Sequence, residues 1–198
     1  MSWIATYTDR HVDPLDPFNS QFCIEDIAHA LALVNRFGGH TKEPYSVGDH
    51  SLRVMELVAE MGGSVVAQMG ALLHDSPEAY ISDFPRPVKD SVRYRVIKEG
   101  IPWYHSVDVV EHDLLFAIFL QLGLPWPSDD DWRLVELADN KMLATEARDL
   151  MHGTQNWETS PGEPINTQIV PAPWWGVEAM FLQNFETLQV ALHTEKIA

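Results

Sequence analysis

His74-Asp75 closes the apolar stretch Met69-Gly70-Ala71-Leu72-Leu73, so an imidazole and a carboxylate stand where a chain segment leaves the core. A carboxylate in such a place is costly to bury unless it is paired or bound to a cation. Imidazole and carboxylate together suit a divalent ion such as Zn, Mn, Co or Fe, and Mg is also compatible with the carboxylates. Alone, the dipeptide reads equally well as a helix C-terminus, where His74 complements the negative end of the dipole. Two further residues change the balance. His50 falls on the apolar stripe Val47, His50, Val54, Leu57, Met61, and Asp139 lies between Ala138 and Met142 on an inward stripe. Each by itself reads as a satisfied core residue. With His74-Asp75 they make a set of two histidines and two aspartates, which leaves room for water or substrate on an ion that takes five or six ligands.

These residues need helices to carry them. Ile24, Ile27, Leu31 and Val34 recur at spacings of three and four, and Gly38-Gly39 ends that pattern. Ser46 is placed to cap a second helix, with Asp49 three positions on, and Gly62-Gly63 closes it. A third helix is expected from Ser64 to about His74, and Ser76-Pro77 reads as a new N-cap and first helical position. Pro85 and Pro87 bracket a loop. Val109, Leu114, Phe116 and Phe119 suggest a helix between about His105 and Leu122, and residues 123–131 a Pro-rich turn. Asp129 to Asp131 favour the start of the next helix, from about Trp132 to Met151. With period-two alternation almost absent, the fold class is all-α, a helical bundle in one domain over residues 1–198. An irregular arm covers 1–23, a Pro-rich excursion 152–173, and a last helix 174–193.

The layout His50, then His74-Asp75, then Asp139 resembles the HD-domain superfamily of metal-dependent phosphohydrolases. The stretch His74-Asp75-Ser76-Pro77-Glu78 through Asp83, Pro85, Pro87 and Lys89 resembles the HD-x-x-E-x-x-x-x-D-x-P-x-P-x-K segment of bacterial 5′-deoxynucleotidases and of viral enzymes that cleave triphosphates such as dATP. Asn35-Arg36-Phe37 resembles the Arg-aromatic pair those enzymes place at the substrate. The resemblance implies a divalent metal on His50, His74, Asp75 and Asp139, where it would offset phosphate charge and lower the pKa of bound water. It implies Glu78 as general acid or base; the residue alone reads as a first-turn acid. It implies Arg36 as a phosphate fork, Lys89 as a point charge for the phosphate tail, and Asp83 as acceptor for the sugar 3′-hydroxyl. These three read otherwise as a solvated charge, a surface lysine and a turn aspartate. Phe37 stands where some relatives have tryptophan and would pack on the deoxyribose. The implied activity is hydrolysis of deoxynucleoside 5′-phosphates, as a monophosphatase or as a triphosphohydrolase. The alternatives are a phosphodiesterase on a cyclic or oligomeric nucleotide, or a non-catalytic nucleotide-binding module. A triphosphate needs several cations, and only Arg36, Lys89, Lys42 and Arg86 offer themselves. Homo-oligomers occur among the relatives, and the apolar C-terminal helix offers a surface for one.

The remaining features set limits. A net charge of −16 on 198 residues disfavours duplex nucleic acid, whose backbone is bound mainly through Lys and Arg. No apolar run approaches the ~20 residues of a membrane helix, and Met1 to Arg10 lacks a secretory pattern. The single cysteine, Cys23, fits a reducing compartment, and a cytoplasmic location is expected. Trp103, Trp126, Trp132, Trp174 and Trp175 read as core or subunit-interface residues, and His40 as a loop residue. Glu146, seven positions past Asp139 on the same face, either supports the metal ligands or pairs with Arg53 or Arg148.

Overall fold

A computed structural model describes residues 3–98, 101–152 and 161–195. Helices α1 (Ile24–Leu33), α2 (Val47–Glu60), α3 (Val65–Leu73), α7 (Asp129–Leu150) and α8 (Trp174–Glu195) pack around one hydrophobic core. The short helices α4 (Glu78–Ile81) and α5 (Arg86–Lys89) follow α3, and α6 (Val107–Gln121) precedes α7. The mostly helical class is as the sequence implies.

The caps explain several boundaries. The Ser46 and Ser64 side chains accept from the Asp49 and Ala67 amides, satisfying donors at the starts of α2 and α3. Ser128 and Asp131 bond each other's backbone amides in a capping box, so α7 starts at Asp129, ahead of the expected Trp132. Ser76 does not cap: its hydroxyl is buried without a partner among the described residues, and α4 begins one residue after Pro77. On α6 the inward residues are Val107, Val110, Leu114, Ala117, Ile118 and Phe119, so the expected Leu114 and Phe119 are buried while the expected Val109 and Phe116 are exposed.

Strand structure is more than the sequence reading allowed. β3 (Arg93–Lys98) and β4 (Ile101–Ser106) form an antiparallel hairpin. Its alternation is real, with Val92, Tyr94 and Val96 half-buried between exposed Arg93, Arg95 and Ile97, but no residue of that set is fully covered, so the apolar signal is diluted. The N-terminal arm is likewise not wholly irregular. β1 (Ile4–Ala5) pairs with β2 (His11–Val12), and Thr8 is bound to Asp26 of α1 through its amide and hydroxyl. Of the 152–173 excursion, residues 153–160 lie outside the described residues. Residues 161–173 have no regular structure but are tied down: Arg148 donates to the carbonyls of Ile165 and Thr167, and Asp49 accepts from the Ala172 amide.

Close helix approach positions the site. A Cβ on Gly48 would lie 2.8 Å from Val177 Cγ1 and 3.2 Å from the backbone of Leu31 and Ala32. Glycine there lets α2 seat against α1 and α8, and His50 is carried inward half a turn later.

Candidate metal centre

Four donor atoms converge from helices α2 and α7 and from the turn after α3. His50 Nε2 lies 3.1 Å from Asp139 Oδ1, 3.3 Å from His74 Nε2 and 3.6 Å from Asp75 Oδ2. His74 Nε2 is 3.3 Å from Asp75 Oδ2. His50, His74 and Asp139 form the tighter group, with ligand atoms all within 4.8 Å, and Asp75 closes the set. Both imidazoles are oriented by their other nitrogen. His50 Nδ1 lies 2.6 Å from Glu146 Oε1, and His74 Nδ1 lies 2.7 Å from the Ala71 carbonyl oxygen. With the Nδ1 protons donated there, each Nε2 presents a lone pair to the centre. Two lone pairs and two carboxylate oxygens facing one another need a cation. Bonds of about 2.1 Å to a divalent ion put neighbouring ligand atoms roughly 3.0–3.4 Å apart, close to the separations seen, so the residues fit a metal.

The electrostatics agree. Burial and Arg36 oppose charge on His50, yet Glu146 and Asp139 outweigh them and raise its pKa to about 9. Burial acts likewise on His74, and Asp75 and Asp139 raise it. Although burial penalises the Asp75 carboxylate, His74, His50 and Arg36 hold it well below the usual range. The pocket carries surplus negative charge that a proton or a metal can satisfy.

Glu146 is the support beneath this set. It is fully buried and accepts from His50 Nδ1, from Tyr45 Oη at 2.9 Å and from Arg36 Nε at 3.1 Å. Neither expected ion-pair partner reaches it, since Arg53 binds Asp49 and Arg148 binds Asp149. Arg36 instead links Glu146 to Asp75, its Nη1 lying 3.3 Å from Asp75 Oδ2. The guanidinium expected to serve as a free phosphate fork is thus engaged on two edges.

Phe37 sits in a left-handed conformation (φ 55°), followed by Gly38 and Gly39 with φ 58° and 78°. Its amide donates to Asp83 Oδ2 at 3.0 Å, and Ser82, beside Asp83, also has positive φ (67°). Two strained non-glycine residues therefore meet at the Phe37–Asp83 contact, each costing on the order of 1 kcal/mol. Glu78, at the start of α4, has a carboxyl oxygen that is buried without a partner among the described residues. Burial, then the charges of Asp75 and Asp83, push its pKa well above the usual range despite Arg36. Burial and the neighbouring carboxylates therefore favour its protonated form more than in an ordinary glutamate.

A cleft of about 450 Å³ opens beside the centre, with His74, Asp75 and Glu78 on one wall. Lys89, Asp108, Glu111, His112, Trp126 and Trp132 line the rest. Lys89 Nζ is 2.5 Å from Glu111 Oε2 and 3.3 Å from Asp108 Oδ1. Arg36, Phe37 and Asp83 do not line this cleft; they cluster beside Asp75. Sequence reasoning missed Asp108 and Glu111, whose signal is only an i,i+3 acidic pair on an apolar helix. Trp126 and Trp132 belong to the cleft wall, while Trp103, Trp174 and Trp175 are exposed.

Among the described residues no helix is long and apolar enough to cross a membrane. An uncharacterized protein of Rhodobacter capsulatus is 35% identical over 128 residues, 63% of this chain and 60% of that protein, so the match spans less than two thirds of its length. The uncharacterized protein YfdR of Escherichia coli K12 is 30% identical over 192 residues, 95% of this chain and 96% of that protein. The HD domain family matches residues 47–140, a span that starts three residues before His50 and ends one after Asp139. The chain belongs to the HD-domain family.

Proposed function

We propose that this chain hydrolyses the 5′-phosphate ester of a deoxynucleoside. The observation that supports this reading is a buried Glu78 carboxyl, its pKa raised by burial and by Asp75 and Asp83, beside a converged His50–His74–Asp75–Asp139 set at the mouth of a cleft. A divalent ion held by those four residues would offset phosphate charge and activate water. Glu78 gives its proton to O5′ as the P–O5′ bond breaks, then regains one from the entering water. Asp83 accepts the sugar 3′-hydroxyl on Oδ1, its Oδ2 being held by the Phe37 amide. The Phe37 ring, fixed by its left-handed backbone, packs at C2′ where a hydroxyl would clash. Arg36 holds Asp75 and Glu146 in place and keeps only Nη2 for a phosphate oxygen.

The test is a panel of nucleoside 5′-phosphates of both sugar types, offered to protein loaded with Mn, Co, Zn or Mg. Release of phosphate from deoxynucleotides, lost in Asp75→Ala together with metal content, is the expected result. Phe37→Ala is expected to narrow the preference for deoxyribose. Tight nucleotide binding without turnover under every metal would refute the enzyme reading and leave a binding module.

A further inference from the structure

Lys89 is the one lysine or arginine among the residues lining the cleft, which also holds the carboxyls of Asp75, Glu78, Asp108 and Glu111. That lysine is not free. Glu111, with only about a fifth of its side chain exposed, holds it at 2.5 Å, and the more exposed Asp108 lies 3.3 Å away. None of the other cations that could accompany a phosphate chain lines the cleft, Arg86 standing exposed on α5. Arg36 is bound between Glu146 and Asp75, and Lys42 donates to the Asp149 carbonyl oxygen at the far end of α7. Each phosphate added to a monoester brings at least one more negative charge, and a cleft with like charge and low-dielectric walls repels it strongly.

We infer that Glu111, aided by Asp108, selects nucleoside monophosphates over di- and triphosphates by neutralising Lys89. This rests on the phosphohydrolase reading above and sharpens it. Glu111 is a specificity-determining residue on α6 that acts through Lys89. The cleft has room for a longer phosphate chain, so the exclusion is electrostatic and a single neutral substitution relaxes it.

The experiment compares kcat/KM for the mono-, di- and triphosphates of one deoxynucleoside in metal-loaded wild-type protein, Glu111→Gln, Asp108→Asn and Glu111→Gln/Lys89→Met. Folding and metal content are checked for each. The wild type is expected to prefer the monophosphate. Glu111→Gln should raise the tri-to-monophosphate ratio about tenfold, the order expected for one charge removed within a half-solvated cleft. Asp108→Asn, at an exposed position that tolerates change, should raise it less. The gain should vanish in Glu111→Gln/Lys89→Met, because it depends on the freed ammonium. An unchanged ratio, an equal gain without Lys89, or a shift in base preference instead of phosphate number would overturn the inference while leaving the hydrolase standing. Hydrolysis of no nucleotide by the wild type would bring down the reading and the inference with it.

Discussion

Replacing Glu146 by Gln tests whether the metal centre depends on a buried charge outside the ligand set. The change is nearly isosteric. The Gln carbonyl can still accept from His50 Nδ1, now at 2.6 Å from Glu146 Oε1, but its amide group would face Arg36 Nε, now 3.1 Å from Oε2. A donor would oppose a donor in a fully buried place, and Arg36 would keep only Asp75 as counter-charge. Breaking one side of a buried ion pair costs about 3 kcal/mol, which lowers the Tm of a chain this size by about 6–12 °C. Loss of the carboxylate behind His50 should also weaken metal binding by about 10- to 100-fold. Thermal melts of the metal-free protein and metal titrations by calorimetry read the two effects separately. Arg36→Met in the Glu146→Gln background should lose less than the sum of the single changes, because the stranded cation is gone. Wild-type Tm and metal affinity in Glu146→Gln, or strict additivity in the double variant, would refute the argument.

Three other outcomes follow from the geometry. His50 has its folded pKa raised to about 9, so in the metal-free protein its contribution to stability is complete below its unfolded value of about 6.5 and is lost as pH rises to about 9. Metal binding near neutral pH should therefore release protons and strengthen across that window, as shown by calorimetry in buffers of different ionisation enthalpy; binding with no proton release would contradict it. Glu78→Gln should keep metal near the wild-type level but slow turnover sharply and remove the alkaline limb of the pH–rate profile, since the proposed step has Glu78 donate a proton, a role its raised pKa favours; loss of metal would make Glu78 a structural support instead. Gly48→Ala should destabilise the fold by about 1–3 kcal/mol through overpacking against Val177 and α1, seen in urea unfolding; a neutral result would mean α2 can shift freely.

How much was legible in the sequence depends on the range of the interaction. Serine caps, glycine breaks and apolar stripes act within a few residues, which is why α1, α2, α3, α7 and α8 are visible in the string. His50 and Asp139 stood out because polar groups on an apolar stripe demand a partner. The β3–β4 hairpin stayed hidden because its alternating residues are only half-buried and lie between arginines. The α4 cap failed because Ser76 is drawn into the core instead of turned back on its own helix. Glu146 was noticed, but its partner was not, since Arg36 lies 110 positions away and nothing local separates it from Arg53 or Arg148. By itself the sequence determined the helical class, the family motif and which titratable residues stand on inward faces, all consequences of local periodicity and spacing. Only the tertiary structure decided that Arg36 braces the donor set, that Glu78 is buried beside the charges of Asp75 and Asp83, and that Lys89 faces Glu111. Those are properties of charges brought within a few ångströms out of water, and they depend on packing that no local pattern encodes.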